Sequence, residues 1–227
     1  MTAGLERAAS TRRPFRTVIL DADSTLSSLE GIDWLAALRG PELEQRVKEQ
    51  TDAAMRGDIR IDAVYGARLS VVAPTAAELD ALGVAYCATV EPDAARVIAA
   101  GQARGMRFII LSGGLRRSLL PLGAMLGIPA EDVHAVEVWH DATGAYAGFD
   151  TSSPLGKDGG KPVVVRGLKD LASPVLAVGD GQTDAALHEV VDAFWAYVGF
   201  VERPAVAARG DRVVRSFREL GTLLELI

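Results

Sequence analysis

The run Thr17-Val18-Ile19-Leu20 stops abruptly at Asp21-Ala22-Asp23-Ser24-Thr25, and this junction constrains the fold more than any other feature. A short β-branched and apolar run reads as a buried strand of a parallel sheet. Carboxylates at its carboxyl end sit at the mouth of the sheet, where open α/β folds bind their ligands. The period of two along extended backbone points Asp21 and Asp23 the same way. Converging carboxylates repel unless a cation lies between them or one holds a proton. The pattern suits metal-assisted chemistry, one carboxylate attacking and the other handling a proton. A strand entering a turn with two solvated aspartates is the plainer alternative.

The rest of the chain supplies the sheet this strand needs. Between Asp23 and Glu91 the pattern is helical, with expected helices at Ile32–Leu38, Leu43–Met55, Ile61–Val72 and Pro74–Val84, separated by Gly or Pro. They read as a small helical bundle inserted between two halves of another unit. From Glu91 a βα rhythm begins. It predicts a helix at Pro92–Ala103, a strand at Phe108–Leu111, a turn at Ser112-Gly113-Gly114 and a helix at Leu115–Leu126. A strand at Val133–Trp139 then pairs as a hairpin with Tyr146–Phe149. A helix from Lys161-Pro162 to Leu171, strands at Val175–Val178 and Ala193–Val198, and a short edge strand at Val213-Val214 complete the pattern. Alternating strands and helices imply an α/β fold with a doubly wound parallel sheet. The expected organisation is a tail at 1–16, a core from 17–27 and 86–227, and an inserted helical unit at 28–85.

Composition excludes several function classes. A net charge of −6 offers no excess of cations for non-specific nucleic-acid binding. No run approaches the ~20 apolar residues of a membrane span, and the arginine-bearing tail lacks a signal-peptide apolar stretch. Cys87 is the single cysteine, so no internal disulfide forms and a reducing cytoplasm is expected. His134, His140 and His188 show no metal-ligand spacing, and the three tryptophans are scattered like packing residues.

Three further segments place polar groups at strand ends or helix starts. Ser112-Gly113-Gly114 joins a hydroxyl and glycine N–H groups to a helix N-terminus, a ready anion site or simply an N-cap and tight turn. Lys157-Asp158-Gly159-Gly160-Lys161 delivers a cation on a flexible loop, though taken alone it reads more simply as a solvated loop. It is no Walker loop, since Pro162 stands where Ser or Thr would bind magnesium. Gly179-Asp180-Gly181-Gln182-Thr183-Asp184 sets Asp180 at a strand end and Asp184 one helical turn on, a hard oxygen site suited to Mg2+.

In this order, Asp-x-Asp-Ser-Thr, Ser-Gly-Gly, Gly-Gly-Lys and Gly-Asp-Gly-x-Thr-Asp resemble the haloacid dehalogenase superfamily and, within it, the phosphoserine phosphatases. The resemblance spans about residues 17 to 227. It includes Glu30-Gly31-Ile32-Asp33, Ala54-Met55, Arg68-Leu69 and Tyr146-Ala147-Gly148-Phe149-Asp150. It implies a Rossmann-like parallel core with an inserted helical cap of the C1 type, hydrolysing a small phosphomonoester, most specifically O-phospho-L-serine in serine biosynthesis. By that resemblance Asp21 is the nucleophile and Asp23 the general acid and base. Mg2+ is held by Asp21, Asp23 through its carbonyl, Asp180 and, through water, Asp184. Ser112 and the Gly113 and Gly114 backbone hold phosphate, while Lys161 neutralises charge; Lys157 reads as solvated. Glu30 meets the substrate ammonium and Arg68 its carboxylate, with Met55 and Thr183 also against the substrate. A solvent-facing arginine and a helix-dipole glutamate are the plain alternatives for that pair.

Arg56, Ile61, Leu115 and Val136 depart from the family pattern; none takes part in the phosphate chemistry, but they put the choice of substrate in doubt. Phosphohomoserine or a sugar phosphate is the alternative. A receiver-like phospho-acceptor is the alternative of another class, although receivers need neither the insertion nor Asp23. A monomer or homodimer is expected, with no nucleic-acid or membrane partner.

Overall fold

β1 (Thr17–Leu20) is buried along its whole length and lies inside a six-stranded sheet in the computed structural model. The structure describes residues 14–227; of the expected tail at 1–16, residues 1–13 lie outside the described residues. Beside β1 run β2 (Arg107–Leu115), β3 (Val133–Val136), β6 (Val175–Gly179), β7 (Ala193–Tyr197) and β8 (Arg212–Val214), in the order β3-β2-β1-β6-β7-β8. Every pairing in this sheet is parallel. A separate antiparallel hairpin joins β4 (Val138–His140) to β5 (Tyr146–Phe149).

Register decides where chemistry can occur. Leu20 pairs with Ile110 on one side and Val178 on the other, so β1 and β6 end at one level while β2 runs on past them to Leu115. From β1 the chain builds outward to β2 and β3 on one side, then returns to build β6, β7 and β8 on the other. That reversal leaves a crevice at the carboxyl end of β1, the usual ligand position of open α/β sheets.

Between β1 and β2 lie α1 (Gly31–Ala37), α2 (Pro41–Arg56), α3 (Ile61–Val72), α4 (Ala76–Ala88) and α5 (Ala94–Ala103). Local chemistry sets their ends. α2 starts with Pro41 at the position where a missing N–H costs nothing and stops at left-handed Gly57. α4 opens with a capping box: Thr75 Oγ1 accepts from the Glu78 N–H and Glu78 Oε2 accepts from the Thr75 N–H. Leu35, Leu69, Val72, Leu79 and Leu82 are fully buried where α1, α3 and α4 meet. Each buried leucine favours the fold by roughly 1.5–3 kcal/mol over an exposed one. The connections back to the sheet are tied together, since Ser27 bridges to both Asp23 and Val90.

The remaining helices, α6 (Arg116–Met125), α7 (Gly160–Gly167), α8 (Gln182–Ala185), α9 (Pro204–Ala207) and α10 (Phe217–Leu223), follow their strands. Four differences from the sequence expectation matter most. Ser112-Gly113-Gly114 is not a turn: its backbone stays in β2 to Leu115, which pairs with Val136 after a register shift. The expected strand Val133–Trp139 splits at Glu137, because β3 serves the main sheet and β4 the hairpin. α7 ends at Gly167 rather than Leu171, since Leu168 turns extended and Asp170 takes a positive φ. α4 continues to Ala88, past the 85/86 junction. Among the described residues no single helix is long and apolar enough to cross a membrane.

Candidate active site

Asp21 leaves β1 with its N–H still on the ladder, donating to Val178 O at 3.0 Å. Asp180 leaves the adjacent end of β6, and Asp184 reaches back from α8. Carboxylate oxygens of all three lie within 4.8 Å of one another, and all three residues are buried. Gly179 makes this approach feasible, because a Cβ there would lie 2.2 Å from Asp184 Cγ. Lys161 Nζ enters from α7, 2.7 Å from Asp21 Oδ1 and 2.6 Å from Asp184 Oδ1. Burial alone would lower the lysine pKa, but Asp184 and Asp21 outweigh it and hold the ammonium above its ordinary value. Gly160 must lack a side chain, since a Cβ would collide with the Pro154 carbonyl.

The opposite side of the cluster is held by Arg203, whose Nη1 pairs with Asp180 Oδ2, while Thr25 Oγ1 donates to Asp180 Oδ1 at 3.1 Å. Two cations in direct ion pairs, Lys161 and Arg203, therefore serve the carboxylates of Asp21, Asp180 and Asp184 with Asp23 close by. Burial, then the charge of Asp21, pushes the Asp184 pKa up to about 7. Buried carboxylates in excess over their cations, all offering hard oxygen donors, fit a divalent metal ion.

Asp23 does not join that cluster with its carboxylate. Its Oδ1 accepts from the Gly31 N–H at 2.8 Å and from Tyr86 Oη at 2.5 Å. Its Oδ2 accepts from Ser112 Oγ at 3.2 Å. Burial, then Asp21, pushes its pKa up to about 6, the range in which a carboxyl gives and takes protons near neutrality. Ser112 is fully buried and accepts from the Gly114 N–H at 2.9 Å, so extended backbone brings its hydroxyl to the same point.

Across the crevice stand the helices of the insertion. Glu30, preceding α1, accepts from Ser24 Oγ at 2.7 Å and lies 3.8 Å from Arg203 Nη2. Burial, then the charge of Asp23, raises its pKa to about 8. Arg68 on α3 is 5% exposed, and its Nε is buried without a hydrogen-bond partner. Tyr65 Oη donates to Gly113 O at 2.7 Å and the Ile61 N–H to Asp158 Oδ1 at 2.9 Å, tying α3 to the core loops.

One cavity is lined by Asp21, Asp23, Glu30, Met55, Arg68, Ser112, Gly113, Gly114, Lys161, Asp180 and Thr183. Asp184 stands behind it on Lys161, and exposed Lys157 lies at the rim. Sequence reasoning missed Asp33, Thr51, Tyr65, Tyr86 and Arg203. Tyr86 continues the apolar stripe of Leu79 and Leu82, and a buried tyrosine hydroxyl seeking a partner was its signal. Arg203 carried none, since its partners are 23 and 173 positions away, at Asp180 and Glu30.

The haloacid dehalogenase-like hydrolase family profile matches residues 18–189. The chain belongs to that family. Phosphoserine phosphatase of Bos taurus is 32% identical over 210 residues, covering 92% of each chain. The chloroplastic phosphoserine phosphatase of Arabidopsis thaliana is 30% identical, over 92% of this chain and 71% of its own. Among solved structures, a phosphoserine phosphohydrolase-like protein from Francisella tularensis superposes with a TM-score of 0.84 at 28% identity, covering 92% of this chain and 99% of that one. A substrate-bound phosphoserine phosphatase complex superposes with a TM-score of 0.74 at 21% identity, over 95% and 100% of the two chains, a likeness of fold. As a hydrolase of this family the chain carries its parallel core, and the buried aspartates at the strand ends suit a metal ion.

Proposed function

We propose that this hydrolase is a Mg2+-dependent phosphatase that cleaves O-phospho-L-serine through an aspartyl-phosphate formed on Asp21. One observation carries the reading: the Arg68 guanidinium and the Glu30 carboxyl, which a neighbouring ammonium would hold ionised, line the same cavity as Asp21 and Asp23. A zwitterion with a phosphate at its far end needs a cation for its carboxylate, an anion for its ammonium and a nucleophile beyond. The close phosphoserine phosphatase relatives favour the same substrate.

In this mechanism Asp21 attacks phosphorus in line while Asp23 protonates the departing serine oxygen. Asp23 then takes a proton from the water that cleaves the aspartyl-phosphate, releasing inorganic phosphate and restoring Asp21. Such acid-base help is worth roughly a hundred- to ten-thousandfold. Ser112 Oγ and the glycine N–H groups hold the phosphoryl oxygens, and Lys161 offsets the charge on Asp21 and on the transferring group. Asp21, Asp180, the Asp23 carbonyl and, through water, Asp184 would hold the metal. When bound, Mg2+ polarises the phosphoryl group and screens it from the nucleophile's charge. The helices α1–α4 act as a cap over the crevice. This assignment fits an enzyme of the cytoplasm working on a free metabolite.

Ile61 also lines the cavity and departs from the family pattern, which favours testing neighbouring esters beside phosphoserine. The test is phosphate release from a panel of phosphomonoesters with Mg2+ present. Phosphoserine is expected to give the highest kcat/KM; a sugar phosphate or phosphohomoserine ahead of it would replace the substrate assignment.

A further inference from the structure

Thr51 and Asp33 have no part in the chemistry above, yet both line the cavity. Thr51 is 4% exposed on α2, and its Oγ1 accepts a hydrogen bond from Arg68 Nη1 at 2.6 Å. The same hydroxyl donates to Asp33 Oδ1 on α1 at 2.6 Å. A hydroxyl has one proton to give; Val47 O is a second acceptor at 3.1 Å, and the nearer, charged carboxylate is the stronger one. Three helices thus contribute one residue each to a chain running Asp33, Thr51, Arg68.

The chain occupies Nη1 only. On the other edge of the guanidinium Nε is buried without a partner, and Nε with Nη2 forms the planar fork that takes a carboxylate bidentately. An aspartate paired directly with that fork would compete with a substrate carboxylate. Placed behind a hydroxyl, it helps offset the buried positive charge and leaves the fork vacant.

We infer that Thr51 and Asp33 are positioning residues that fix the Arg68 fork for a substrate carboxylate and so set selectivity for amino-acid phosphates. This rests on the reading of Arg68 given above and adds the residues that make it specific. Neither touches the reacting phosphorus, so their effect falls on binding of the carboxylate.

The matched probes are O-phosphoserine and O-phosphoethanolamine, the same ester and ammonium without the carboxylate. Thr51→Val, which keeps the shape but leaves Arg68 Nη1 and Asp33 without their shared partner, is expected to raise KM for phosphoserine roughly 10- to 100-fold with kcat little changed. For phosphoethanolamine its kcat/KM should stay within about twofold of wild type, because no carboxylate is bound there. Thr51→Ser, which restores the hydroxyl, should restore the preference for phosphoserine. An equal loss on both esters in Thr51→Val, or no recovery in Thr51→Ser, overturns the inference. Should Thr51→Val melt below the assay temperature, Asp33→Asn carries the test, and an unselective effect there is equally fatal. Arg68→Ala separates the two levels. If it discriminates between the esters and Thr51→Val does not, the positioning chain fails alone; if Arg68→Ala does not discriminate, the reading of Arg68 itself fails.

Discussion

Removing the guanidinium of Arg68 tests the substrate assignment most directly. Arg68 is 5% exposed and keeps a buried Nε with no hydrogen-bond partner, so a bound carboxylate would meet it largely out of water. Truncating one member of such a pair costs about 2–4 kcal/mol, part of it the penalty of leaving the other charge unpaired. At 1.4 kcal/mol per tenfold, Arg68→Ala should lower kcat/KM for phosphoserine roughly 30- to 700-fold. For p-nitrophenyl phosphate, which has no carboxylate, the same variant should change little. Arg68→Lys, with the charge but without the planar fork, should fall between. Steady-state kinetics on both esters decides the matter, with circular dichroism to show that the variants fold. An equal factor on both esters would refute the reasoning, and a phosphatase for small esters lacking a carboxylate would be the better account.

Asp21→Asn should abolish phosphate release with the fold intact, and Asp23→Asn should be severely slowed while still accepting phosphate on Asp21; turnover in purified Asp21→Asn would sink the covalent mechanism. Chelation should stop activity and added Mg2+ restore it, with Ca2+ a poor replacement because its looser coordination misplaces the nucleophile; equal rates with and without chelator would show that the aspartates hold no catalytic metal. Gly179→Ala puts a methyl group against Asp184 and should destabilise the protein by about 1–3 kcal/mol in urea denaturation; an unchanged midpoint would mean that Asp184 moves aside at no cost. Glu78 is hydrogen-bonded at both oxygens by Arg39, which pulls its pKa from 4.5 to about 2. Because the folded value is the lower one, this stabilisation is complete above pH 4.5 and is lost as pH falls toward 2. Glu78→Gln should therefore flatten the dependence of Tm on pH across that window, and an unaltered slope would show that the pair contributes nothing.

The sequence by itself determined the class of the fold and the chemistry carried at its strand ends. A buried run stopping at Asp-x-Asp, followed by apolar strands alternating with helices, leaves few alternatives to a parallel sheet, because periodicity and turn chemistry are local properties. The same locality made Asp21, Asp23, Ser112, Asp180 and Asp184 visible as candidates, each adjoining a run that could be read alone. Local signals were weaker at boundaries set by a neighbour. Ser112-Gly113-Gly114 has the composition of a turn yet stays extended, and Val133–Trp139 divides between two sheets because its partners differ. Only the tertiary structure brought Arg203 to Asp180, Tyr86 to Asp23 and Thr51 between Asp33 and Arg68. No short-range pattern announces such contacts. They join residues on different elements, and what makes them matter is burial: a polar group removed from water must find a partner, and which partner it finds depends on how the elements pack.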